Sequence, residues 1–132
     1  MSSKMFVNLP VKDLPRSMAF FEALGFTFDP RFTDERAACL VVSESNFVML
    51  LTEPFFATFT DRALADTGKA TEAIIAVSQD TAEEVDRIGD AAVAAGARPA
   101  KVTEDASPMH TRSFHDPDGH HWEVFHIPAP PA

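Results

Sequence analysis

Residues 112–126 read RSFHDPDGHHWEVFH and gather four of the chain's five histidines with two aspartates and a glutamate. Imidazole nitrogens and carboxylate oxygens are the side-chain atoms that divalent metals take and that proton transfer uses, so the stretch raises both chemistries. Read as a strand, HHWEVFH places His121, Glu123 and Phe125 on one face and His120, Trp122, Val124 and His126 on the other. Trp122 and Val124 mark the second face as the core side. His121 and Glu123 then share the functional face, about 7 Å apart at Cα. A metal site built on these two needs a third ligand; the alternative is an exposed or hydrogen-bonded His121. His115 and His120 flank the turn and read as turn-stabilising donors, and His110 and His126 as solvated imidazoles.

Asp116 and Asp118 invite a catalytic or calcium reading, but Asp-Pro-Asp-Gly is a turn formula in which the carboxylates bond nearby amides while Pro and Gly supply the dihedrals. Glu123 is the sharper candidate. A carboxylate among apolar neighbours loses hydration, so it must pair, protonate or hold water. Arg112 and His121 are the nearest partners in sequence. The functional reading gives Glu123 a catalytic or anchoring role, as a base of raised pKa or as the acceptor for a cationic or hydroxyl-bearing ligand. The structural reading makes it a satisfied remnant.

The elements that must position these residues follow from periodicity. MFVNLPV alternates as a strand, with Phe6, Asn8 and Pro10 on one face. Asp13 is placed as an N-cap, Leu14, Met18, Phe21 and Leu24 recur at helical spacing, and Gly25 closes the helix. FTFDPRF, AACLVVS and NFVMLLT are three strand candidates. The order then recurs: EAIIAVS as a strand, a helix from Thr81 to Gly96 with Glu84 in capping-box spacing, and the strand candidates RPAKVTE, MHTRSFH and HHWEVFH. The fold expected is α+β, two βαβββ modules whose curved mixed sheet surrounds a cavity. It is read as one domain over residues 1–132, with modules near 5–53 and 72–127 and a linker over 54–71. In that linker Phe55, Phe56 and Phe59 read as a packing segment or a lid.

Composition narrows the partners. A net charge of −9 with no basic run disfavours nucleic acid, and no stretch approaches the length of a membrane-spanning helix. The N-terminus lacks the apolar core of a signal peptide, so a cytoplasmic protein is expected. Cys39, the one cysteine, sits in AACLVV as a buried strand thiol. Twelve Phe, one Trp and no Tyr make any aromatic wall poor in hydrogen bonding.

FVNLPVKDLPRSMAFFEALGF together with RSFHDPDGHHWEVF resembles the glyoxalase, bleomycin-resistance and extradiol-dioxygenase superfamily, also called vicinal oxygen chelate proteins, over roughly residues 5–127. The resemblance implies paired βαβββ modules, a homodimer and, in the enzymes, one divalent metal held by His, Gln or Glu from four inward positions. Relatives also include metal-free proteins that sequester a drug. Carried over, the four positions fall on Phe6, Leu50, Ile74 and Glu123, of which only Glu123 offers a lone pair a metal takes. No cofactor is therefore expected, with a divalent metal as the alternative. The function expected is binding of a small, largely apolar molecule in the cavity by Phe6, Asn8, Leu50, Ile74, Arg112, His121 and Phe125. The alternative is a metal-dependent lyase, isomerase or dioxygenase using His121 and Glu123.

Overall fold

The computed structural model describes residues 3–101 and 109–128. Asp13, in extended backbone, accepts a hydrogen bond from the Arg16 amide and starts α1 (Leu14–Ala23), with Pro15 in the first turn where no donor is lost. Gly25 follows at φ +99°, the left-handed conformation that ends the helix without a Cβ penalty. Before α1 runs β1 (Met5–Val11); after it come β2 (Thr27–Asp29), a single 3-10 turn (Pro30–Phe32), β3 (Ala37–Val41) and β4 (Asn46–Thr52). The strand expected over FTFDPRF thus stops at Asp29, whose carboxylate accepts from the Arg31 amide and turns the chain.

These strands form one sheet in the order β1-β4-β3-β2, with β1 parallel to β4 and the other pairs antiparallel. Register places Leu9, Leu50 and Ala38 side by side, all buried, on the layer against which α1 buries Leu14, Ser17, Phe20 and Phe21. The connecting segment carries a short α2 (Glu53–Ala57), where Arg36 lies over the Phe55 ring at 4.4 Å and Phe55 meets Phe59 edge to face.

The second unit, from Thr67 onward, repeats the order. β5 (Ile74–Ser78) leads to α3 (Ala82–Ala94), β6 (Arg98–Pro99), β7 (His110–His115) and β8 (His121–His126), and the sheet runs β5-β8-β7-β6. Thr81 accepts from the Glu84 amide at the start of α3, and Gly96 at φ +96° closes it. Val85, Ile88, Gly89 and Ala92 form the buried stripe of α3 and pack on β7 and β8. Of the strand expected over RPAKVTE only Arg98–Pro99 forms; Ala100 and Lys101 are not in a strand, and 102–104 lie outside the described residues. The two four-stranded mixed sheets with their helices are the α+β architecture expected from the sequence.

Candidate functional site

Strand register sorts the candidate residues into faces. In the second sheet Ile74, Ala76 and Ser78 of β5 stand opposite His121, Glu123 and Phe125 of β8, which stand opposite His115, Ser113 and Thr111 of β7. Because side chains alternate, these nine residues share one face. The other carries Trp122, Val124, Phe114 and Arg112 and packs on α3, since the Arg112 guanidinium lies directly beneath Gly89. The face without α3 is therefore a three-by-three grid with Glu123 at its centre, the small Ala76 on one side and Ser113 on the other.

Glu123 is half-buried, and among the described residues its one hydrogen-bond partner is the Ser113 hydroxyl, which donates to Oε1 at 3.4 Å. Arg112, expected as its partner and as a ligand contact, points the opposite way. It reaches α3, with Nη1 3.3 Å from Asp86 and Nη2 3.1 Å from Asp90. The reason is register: Arg112 pairs with Val124, one residue from the Glu123 row, and a single step along a strand reverses the face.

His121 is buried rather than exposed, at 9%. Among the described residues its Nε2 has no hydrogen-bond partner, and its ring meets His115 edge to face with centroids 5.2 Å apart. Thr111 Oγ1, diagonal to Glu123 on the same face, is also buried and has no hydrogen-bond partner among the described residues. Such atoms are rare in folded proteins because each forfeits its hydration.

In the first sheet Phe6 and Phe47 stack at 4.8 Å, so the Phe6 face carries Phe47, Met49 and Leu51 from β4. Leu50 is on the buried layer with Leu9, not on the Phe6 face; the expected position is displaced by one residue, again a reversal of face. Asn8, on the Phe6 face, donates its amide to the Phe6 carbonyl at 3.2 Å. The donor set does not fit the family's metal. The positions supply phenyl, thioether or alkyl groups and one carboxylate, and among the described residues no three His, Cys, Asp or Glu side chains are grouped to hold an ion.

The remaining acids and histidines of the opening stretch are structural. Asp116 is 5% exposed; its Oδ1 accepts from the Asp118 and His120 amides at 2.9 and 3.0 Å, and its Oδ2 from the Trp122 indole at 2.9 Å. Burial pushes its carboxyl up, opposed by His120 and by these donors. His120, 1% exposed, donates from Nδ1 to Glu72 at 3.0 Å, a partner 48 residues away that the sequence did not reveal. His126 donates to the Gln79 carbonyl at 3.0 Å. His110 donates to Asp86 at 2.9 Å rather than facing solvent alone.

That last contact predicts a pH effect. The hydrogen bond from His110, and after it that from Arg112, hold the Asp86 carboxyl below its ordinary 3.8. A depressed folded value stabilises the fold above the unfolded pKa and is lost as pH falls through the folded one. Urea midpoints should therefore drop more for the wild type than for Asp86→Asn between pH 5 and pH 3. Parallel acid profiles for the two would remove Asp86 from the account.

The same architecture is found in solved proteins. A hypothetical protein from S. aureus is 26% identical and superposes with a TM-score of 0.78, covering 96% of this chain and 95% of its own. A glyoxalase/bleomycin resistance protein/dioxygenase family enzyme from Burkholderia phytofirmans PsJN matches at 18% identity and a TM-score of 0.76, over 96% and 100% of the two chains. A glyoxalase-related enzyme from Fulvimarina pelagi matches at 22% and 0.77, over 99% and 92%. The family described as bleomycin resistance protein-like N-terminal matches residues 4–43. The chain has the vicinal oxygen chelate fold. No curated protein matches the sequence. Among the described residues no helix is long and apolar enough to cross a membrane.

Proposed function

We propose that this chain binds a small, largely apolar molecule on the α3-free face of its second sheet, with Glu123 as the polar anchor and no metal. One observation carries the reading: Glu123 stands in a row with Ala76 and Ser113, between the Ile74 and Phe125 rows, and a single long hydroxyl contact is all that the described residues offer its carboxylate. Ile74 and Phe125 supply apolar surface, and each 100 Å² of ligand surface removed from water contributes about 2.5 kcal/mol. The carboxylate then fixes orientation, as the few polar groups of an apolar pocket do. Resistance proteins with this fold that sequester a drug give the reading a precedent. Metal-assisted chemistry lacks the donor set described above.

The neutral dye N-phenyl-1-naphthylamine tests the face directly. Its emission should rise on binding, and the amides of Ile74, Glu123 and Phe125 should shift in heteronuclear NMR. Ile74 is 52% exposed, so Ile74→Asp leaves the fold intact while placing a charge against the dye, and affinity should fall about tenfold. Unchanged affinity in that variant, with no shifts on this face, would refute the site. Protein incubated with Ni²⁺, Zn²⁺, Mn²⁺ or Fe²⁺ and then desalted should carry no stoichiometric metal; one ion per chain shifting the Glu123 resonances would overturn the metal-free part.

A further inference from the structure

Asp118–Gly119 is the one Asp-Gly pair in the chain, and the two asparagines, Asn8 and Asn46, precede Leu9 and Phe47. An Asp-Gly pair has a chemistry of its own. In a mobile chain the amide nitrogen that follows an aspartate attacks its side-chain carboxyl, and glycine, with no Cβ, obstructs that approach least. The carboxylic acid loses its hydroxyl and the nitrogen its hydrogen, together one water, and a cyclic imide closes. The imide takes up one water at either carbonyl and reopens as aspartate or as isoaspartate. Mass is unchanged, but in isoaspartate the main chain runs through the former side-chain carboxyl, with one methylene added. Asp116 in the same turn has no such route, because Pro117 follows it and a proline nitrogen carries no hydrogen.

The fold holds both ends of the peptide group that would react. The Gly119 N–H donates to the Asp116 carbonyl at 2.9 Å, and the Asp118 carbonyl accepts from the Thr67 hydroxyl. Ring closure consumes the Gly119 N–H, so its bond to Asp116 must open first. The peptide group must also be free to turn about the Asp118 Cα–C bond, which the Thr67 hydroxyl opposes. The Thr67 backbone lies directly against Gly119, since a Cβ there would be 2.4 Å from the Thr67 carbonyl oxygen. Glu72 fastens the same segment a second time, through His120 at 3.0 Å. We propose that Asp118–Gly119 is a latent isomerisation site, kept silent by Thr67 and opened to reaction when the segment 67–72 leaves the turn between β7 and β8. The added methylene lengthens the loop that the Asp116 carboxylate closes on the Asp118 and His120 amides, so the turn does not re-form with these bonds. A transient opening is thereby recorded as a covalent change, whatever the protein binds.

The full chain is aged in mildly acidic buffer, folded or in concentrated urea, and then digested briefly with trypsin. Arg112 is the last cleavage point, so residues 113–132 leave as one peptide holding the site. Reversed-phase chromatography separates its isoaspartate form, and main-chain fragmentation identifies it. The folded wild type should accumulate isoaspartate at least about tenfold more slowly than the unfolded chain, because reaction draws only on the open fraction. Thr67→Val keeps the branched shape without the hydroxyl and should speed ageing of the folded protein by about three- to tenfold, while Thr67→Ser, which restores the hydroxyl, should age like the wild type. Hydrogen exchange at the Gly119 amide should quicken in Thr67→Val while that at Ile88 in α3 does not, which separates release of the segment from global unfolding. Equal rates in the folded and unfolded wild type overturn the latent site. A folded Thr67→Val protein that ages at the wild-type rate overturns Thr67 as its keeper. Should the valine variant fail to fold, Glu72→Ala, which frees the same segment at its other fastening, takes its place in the comparison and is read in the same way.

Discussion

Asp116→Ala is expected to lower the unfolding free energy by about 3 kcal/mol and Asp116→Asn by about 2 kcal/mol. The carboxylate closes the turn between β7 and β8 from within, accepting from two backbone amides and from the Trp122 indole, and Trp122 and His120 are each 1% exposed. Alanine removes the acceptor that these three donors share, and a buried donor that loses its acceptor costs part of its desolvation penalty. Asparagine retains one oxygen for the amides but turns an N–H group toward the indole N–H, which is a donor facing a donor. Thermal denaturation followed by circular dichroism should show the alanine midpoint lower by on the order of 10 °C, with asparagine between it and the wild type. Coincident melts would mean that the turn is held without this side chain.

Gly119→Ala should cost at least as much, about 3–4 kcal/mol, for two reasons that add. The residue sits at φ +88°, and a Cβ there would lie 2.4 Å from the Thr67 carbonyl oxygen and 2.9 Å from its carbon. Both are backbone atoms, and Thr67 is itself tied to this turn by its hydroxyl, which donates to the Asp118 carbonyl. Gly96 provides the control. Its φ of +96° carries the same conformational preference, but a Cβ would meet nothing within 4 Å, so Gly96→Ala should cost only about 1 kcal/mol. Equal losses in urea denaturation at the two sites would show that backbone conformation alone, and not the approach of Thr67, governs Gly119.

What could be read from the sequence was local. Asp13 with Gly25, and Thr81 with Gly96, bracket their helices within a few turns of chain, and each cap is made where the residue types place it. The division of β8 into a Trp122 face and a Glu123 face is likewise a property of one strand. Legibility ended where a partner came from far along the chain. Leu50 was displaced by one residue because nothing in NFVMLLT states its register against MFVNLPV, and the stacked Phe6 and Phe47 that reveal it are 41 positions apart (47 − 6). Arg112 was aimed at Glu123 because the two are close in sequence; its true neighbours, Asp86 and Asp90, stand one helical turn apart on either side of Gly89, whose missing side chain makes room for the guanidinium. That acid-Gly-acid spacing on a helix was the one available signal, and it becomes meaningful only with α3 packed on β7. The Nε2 of His121, without a partner among the described residues, had no sequence signal, since such an atom is a statement about every neighbour at once.

The placement of Trp122 has a spectroscopic corollary. With one tryptophan and no tyrosine in the chain, emission excited at wavelengths that phenylalanine does not absorb comes from the second unit alone, from an indole whose N–H is fixed on Asp116. Cys39, the single thiol, is fully enclosed in β3, and burial pushes it up and away from the reactive thiolate. The two halves of the molecule thus carry separate native reporters, a chromophore in one and a shielded nucleophile in the other, and their opening can be followed independently without adding a label.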